Sequence, residues 1–193
     1  MTGWLRPRAK ILVIFASLMV VLQLFNSATG NALNGWGVVP RDISSLPGIL
    51  VAPWIHTGWS HLLNNLSGLV VLGSLVSLSS LKRFLVASCF IVIASGVLVW
   101  LLARPGMHIG ASGWVFGLWG VLLGQAWFNR NVGNLVVALF VLAFYGGLVF
   151  GLLPRAAISF EYHVFGALCG VIFAAMSRTG SGTTLGIRWP IHR

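Results

Sequence analysis

Ser112 and His163 are the two residues of this chain whose types and surroundings best suit chemistry. Ser112 lies in Gly110-Ala111-Ser112-Gly113, at the head of an apolar run that reaches Phe128. A hydroxyl flanked by small residues can be approached closely by another group. Gly113, Gly117, Gly120 and Gly124 recur at spacings of four, three and four, so they share one helical face. His163 is followed by Gly166, Ala167, Gly170 and Ala174 on its own face. Two such faces let helices come very near each other in lipid. A serine and a histidine meeting across that seam would form a nucleophile and its base. A third polar pair, His61 and Asn65, stands at i and i+4 and shares one helix face.

Composition sets the environment in which these groups must be positioned. Of 193 residues, 58% are apolar and 7% are charged, and the acids are Asp42 and Glu161 alone. Soluble domains carry about a quarter charged residues. So little charge cannot cover a water-facing surface, and the chain reads as an all-α polytopic membrane protein. The net charge of +10 would suit nucleic acid if the basic residues formed a patch among aromatics. Instead they punctuate the apolar runs, where topology needs them, so no nucleic-acid partner is expected. Cys89 and Cys169 lie inside apolar runs and read as small packing residues rather than a disulfide.

Arg6, Arg8 and Lys10 precede an apolar run from Ile11 to about Phe25. A basic start before a hydrophobic middle is signal-peptide-like, but five further runs follow and no small-x-small site closes the first. A retained first helix is therefore expected. Residues 26–60 form the longest connection, with Trp54 and Trp59 as interfacial anchors. Further runs at 61–78, 84–103, 112–128, 133–153 and 160–177 are each near the ~20 residues of a spanning helix. The expectation is one membrane domain over 1–193, with a six-span core at about 10–178 and a basic cytoplasmic tail at 179–193. With both termini inside, Arg6, Arg8, Lys10, Lys82, Arg83, Arg130, Arg178, Arg188 and Arg193 face the cytoplasm, against Arg41, Arg104 and Arg155 outside. That bias obeys the positive-inside rule. His56, His61, His108 and His163 then fall near the outer ends of helices, at the depth of Ser112. Ionisable residues gathered at one membrane depth mark a functional site by default.

His61-Leu-Leu-Asn-Asn65, Gly110-Ala-Ser112-Gly113 and His163-Val-Phe-Gly166-Ala-Leu-Cys-Gly170 open or occupy the second, fourth and sixth spans. In this order and at one depth, the three motifs resemble the signature of the rhomboid intramembrane serine proteases. The resemblance covers about residues 10 to 178 and implies a rhomboid-like bundle of six transmembrane helices in a bacterial cytoplasmic membrane, its site opening to the outer face. It implies Ser112 as nucleophile and His163 as general base, with no carboxylate. It also implies an oxyanion hole from His61, Asn65 and the backbone N–H of Ser112, supported by His56, Gly110, Gly113, Phe116, Gly166 and Gly170. The expected reaction is cleavage of transmembrane protein substrates in the lipid bilayer, without metal or other cofactor. Phe116 stands where many members carry a tyrosine packed on the catalytic histidine, and a phenyl ring can stack there but lacks the hydroxyl. Tyr162 stands where a small residue is common, and the first outer loop lacks the Trp-Arg pair of many members.

Each feature also has a plainer reading. Ser112 alone suits a helix cap or a packing position, Asn65 a hydrogen bond to a neighbouring helix, His61 an interface, and Glu161 a solvated loop. The glycines serve packing in either case. A membrane metalloprotein built on His56, His61, His108 and His163 would be a rival, but no His-Glu-x-x-His occurs and a spacing of five does not suit one helix face. The remaining alternative is a non-catalytic rhomboid-like protein that binds membrane clients. A missing serine or histidine would mark it, and both are present.

Overall fold

In lipid every backbone amide must find its partner within the protein, so long apolar runs become helices. The structure is a computed structural model that describes residues 2–156 and 158–178. The expected basic tail at 179–193 lies outside the described residues. The chain runs through α1 (Thr2–Ala28), a single turn α2 (Gly48–Val51), α3 (Trp59–Ser79), α4 (Leu81–Leu102), α5 (Ser112–Phe128), α6 (Val132–Tyr145) and α7 (Phe160–Met176). The protein is all-helical, with no strand among the described residues. Val38 and His108 form one isolated antiparallel bridge between loops.

The stretches Gly3–Ala28, Trp59–Ser79, Leu81–Leu102 and Val132–Leu152 are long and apolar enough to cross a membrane. Helices α5 and α7 have 17 residues each, or about 25 Å at 1.5 Å per residue, short of a ~30 Å hydrocarbon core. A short helix is tolerable at α5 because the other helices enclose it. From Ser112 to Gln125 only Trp119 and Leu123 are not fully buried. Its ends can therefore lie inside the thickness of the bundle.

The small-residue seam forms between α5 and α7, the most closely apposed helix pair. A Cβ added to Gly166 would collide with the Gly113 carbonyl, and one on Gly170 with the Gly117 carbonyl. A Cβ on Gly124 would sit 2.7 Å from that of Ala174. Backbone-to-backbone packing of this kind is open only to glycine, and it locks the register of the two helices. Leu69, Leu72, Phe84, Ile91, Trp114 and Leu118 fill the middle of the bundle. A smaller cluster of Val38, Ile55, Val99, Ile109 and Tyr162 seals the Ser112 end.

Consecutive long helices alternate in direction. Arg8 binds the Ser77 carbonyl at 2.8 Å and the buried Arg83 binds Ser177 Oγ at 2.8 Å, so these two basic residues lie at the ends of α3 and α7 where those helices finish. Two expectations are corrected. The run 133–153 is not one regular helix: α6 stops at Tyr145 and a 3₁₀ segment, Gly146–Leu152, follows where Gly146-Gly147 weakens the α-helix. Trp54 is half-buried, its ring 5.4 Å from Phe15 and 5.8 Å from Trp114. Cys89 is exposed on α4 rather than packed, while Cys169 is buried, and both are free thiols.

Candidate active site

The turn into α5 is held from three sides. Gly110 adopts φ +112°, a conformation that L side chains rarely take. Its N–H donates to the Ala52 carbonyl at 2.9 Å, and the Ala111 N–H donates to His56 Nε2 at 3.4 Å. His56 can accept because it is neutral: burial first, and the neighbouring His61 second, push it down to about 3. Ser112 is thereby fixed as the first residue of α5, where the backbone amides have no intrahelical acceptor and the helix dipole is positive.

Ser112 opens on a cavity of about 1000 Å³ that is also lined by His61, Asn65, Phe116, Gly151 and His163. His163 sits in the first turn of α7 with its ring stacked on Phe116, centroids 4.2 Å apart and planes within 3°. Its Nδ1 lies 2.8 Å from the Gly151 carbonyl oxygen. A carbonyl only accepts, so Nδ1 carries a proton, and in the neutral ring Nε2 then keeps the lone pair that a general base requires. No hydrogen bond joins Ser112 to His163, and such contacts commonly tighten only when substrate is bound.

Asn65 is 6% exposed and its Nδ2 has no hydrogen-bond partner. Leaving a buried donor unpaired costs about 1–3 kcal/mol, a cost that an acceptor placed in the cavity would relieve. His61, one turn earlier on α3, lies against Gly110: a Cβ there would be 2.6 Å from His61 Nε2. Thr57 Oγ1 bonds His61 Nδ1 at 3.3 Å, and His56 packs behind, ring to ring at 5.0 Å. Gly113, Gly166 and Gly170 contribute through the seam. Tyr162, buried beside His163, lays its ring across Gly113.

Two outer-end residues are committed elsewhere. His108 pairs with Ser159 Oγ through Nδ1 and with the Arg104 carbonyl at 3.1 Å through Nε2, so it pins a loop rather than lining the cavity. Glu161 is not a solvated loop acid: it is buried in the first turn of α7 and ion-paired to Arg104 at 3.0 Å. Arg104 also binds the Arg155 carbonyl at 2.8 Å, closing the loop before α7. Among the described residues, no group of three or more His, Cys, Asp or Glu side chains is gathered to hold a metal ion.

Residues 44–179 match the family model described as the Rhomboid domain. The chain belongs to the rhomboid family. It is 35% identical over 183 residues to an uncharacterized protein of Mycobacterium tuberculosis, covering 88% of this chain and 76% of that one. An uncharacterized protein of Mycobacterium leprae is 33% identical over 181 residues, covering 89% and 71%. Rhomboid-like protein 11, chloroplastic, of Arabidopsis thaliana is 30% identical over 138 residues, covering 64% and 49%. The family is one of membrane proteins and typically of intramembrane serine proteases, and mycobacterial relatives make a bacterial setting plausible for this rhomboid. Reading the sequence alone misses three residues at its site: Gly151, whose carbonyl meets His163, Thr57, which meets His61, and Arg104, which pairs with Glu161. Only the Gly146-Gly147 break in a hydrophobic run hints at the first.

Proposed function

We propose that this rhomboid is an intramembrane serine endopeptidase that cuts transmembrane segments of membrane proteins by a Ser112–His163 dyad. What supports the reading is the convergence of a serine at a helix N-terminus, a histidine whose Nε2 is unprotonated, and an unpartnered buried amide on one cavity. Ser112 Oγ attacks the scissile carbonyl while His163 Nε2 takes its proton. The negative charge on the tetrahedral intermediate is met by the Ser112 N–H, Asn65 Nδ2 and His61. The imidazolium then returns the proton to the departing amine, and water repeats the sequence on the acyl-enzyme.

A substrate helix must unwind locally first, because its own hydrogen bonds and side chains shield the peptide bond. In this reading both termini face the cytoplasm, the cavity opens to the outer face of a bacterial membrane, and no metal is used. Cleavage of a transmembrane test substrate in liposomes decides the matter. Wild type should cut, insensitive to chelator, and Ser112→Ala and His163→Ala should not. Turnover persisting in Ser112→Ala would overturn the dyad. A folded wild type that binds membrane clients but never cuts them would instead fit the non-catalytic alternative.

A further inference from the structure

The imidazole of His163 is fixed by two contacts. Phe116 sets the plane of the ring, and the Gly151 carbonyl sets its rotation within that plane and its tautomer. In a three-membered catalytic set, the second of these duties falls to a carboxylate. None is available here, since the chain has two acids. Asp42 is bonded to Ser44 in the first loop, and Glu161 is ion-paired to Arg104.

The carbonyl belongs to an unusual element. Gly146–Leu152 is a seven-residue 3₁₀ segment with no buried residue, and Val149 and Phe150 expose 48% and 62% of their surface. Runs of 3₁₀ helix have poorer hydrogen-bond geometry than an α-helix, and segments with little buried apolar contact open first. The same segment walls the cavity through Gly147, Leu148, Phe150 and Gly151, so a peptide filling that cavity meets it directly. Glycine is required at the contact. A Cβ on Gly151 would lie 2.6 Å from Phe116 Cζ and 3.3 Å from His163 Nδ1, pushing the segment off both rings.

We propose that the Gly151 carbonyl is the third, positioning member of the catalytic set, and that the peripheral segment carrying it licenses the base. His163 holds its productive tautomer and rotation only while Gly146–Leu152 lies against it. Displacing the segment frees the ring, and chemistry waits until the segment returns. In the step itself Nδ1–H stays on nitrogen throughout: the proton from Ser112 goes to Nε2, and the Nδ1–H···O=C bond strengthens as the ring becomes cationic. Gly151 is therefore a positioning residue, acting through His163, and the inference rests on the dyad proposed above.

The test is ¹⁵N NMR of the histidine-labelled full chain in detergent, with His163→Gln to assign the resonance, together with the rate at which a fluorophosphonate labels Ser112. Wild type should show His163 as the Nδ1–H tautomer, with a slowly exchanging Nδ1 proton. Gly151→Ala should turn it into a mixture of tautomers and slow labelling by about tenfold or more, since oriented general bases contribute about 10²–10⁴ in rate. Gly146→Ala, in the same segment but with nothing within 4 Å of the added Cβ, should change neither. An Nε2–H tautomer in wild type overturns the proposal, as does Gly151→Ala labelling within about twofold of wild type. Should Gly151→Ala not fold, the wild-type tautomer alone still decides. Labelling that is equal in Ser112→Ala would sink the dyad, while the NMR readout of the hydrogen bond would stand apart from it.

Discussion

Replacing Asn65 by leucine separates stability from catalysis at one atom. The substitution keeps the heavy-atom count and branching of the side chain and deletes the amide. In the resting site that amide is 6% exposed and its Nδ2 has no acceptor. Because a buried unpaired donor costs about 1–3 kcal/mol, its removal should leave the folded protein as stable as wild type, or more stable by up to that amount. Turnover should move in the opposite direction. Losing one oxyanion donor lowers kcat by about 10²–10³, equivalent to about 2.7–4 kcal/mol. KM should hardly change, because the donor meets negative charge only at the transition state. The assay is initial-rate cleavage of a fluorogenic transmembrane substrate in liposomes across substrate mole fractions, beside SDS-titration unfolding. A kcat within about threefold of wild type would refute the assigned role. A variant that is markedly less stable would show that Asn65 serves helix packing instead.

Phe116→Leu should lower turnover by roughly threefold to tenfold, because ring stacking is worth about 0.5–1.5 kcal/mol beyond burial; single-turnover rates check this, and an unchanged rate would mean that His163 needs no ring beneath it. Gly170→Ala should destabilise the bundle by about 1–3 kcal/mol or more, since the new methyl overlaps the Gly117 carbonyl. Thermal melting reads it, and native stability would show that α5 and α7 can separate freely. His56 supplies a pH dependence. Burial, then His61, holds it at about 3 in the folded chain against an ordinary 6.5, so the unfolded chain binds a proton that the folded one refuses. Stability therefore falls as pH drops below 6.5 and continues to fall until about 3. His56→Gln should flatten that slope in melts taken across the range, and parallel slopes in both proteins would contradict it.

Much of this architecture is written locally. The six apolar runs become helices because lipid leaves the backbone no other partner, and the spacing of Gly113, Gly117, Gly120 and Gly124 determines which face of α5 can meet another backbone. Within the site, His61 and Asn65 share one face of α3 through helical periodicity, and the turn before Ser112 needs glycine at 110.

Other features depend on contacts between residues distant in sequence, and no local pattern encodes them. Trp54 packs against Phe15 and Trp114, which lie far from it in sequence. Glu161 looks solvated until Arg104, 57 positions earlier, closes on it. The protonation of His163 is settled by a backbone carbonyl on a segment that hydropathy assigns to the preceding helix. Hydropathy and periodicity describe side chains, whereas that hydrogen bond is made by main chain, which is the same at every residue. The sequence by itself therefore determined the helices, their order and the seam. Only the tertiary structure decided which nitrogen of the histidine carries its proton, because that choice depends on where a neighbouring carbonyl comes to rest.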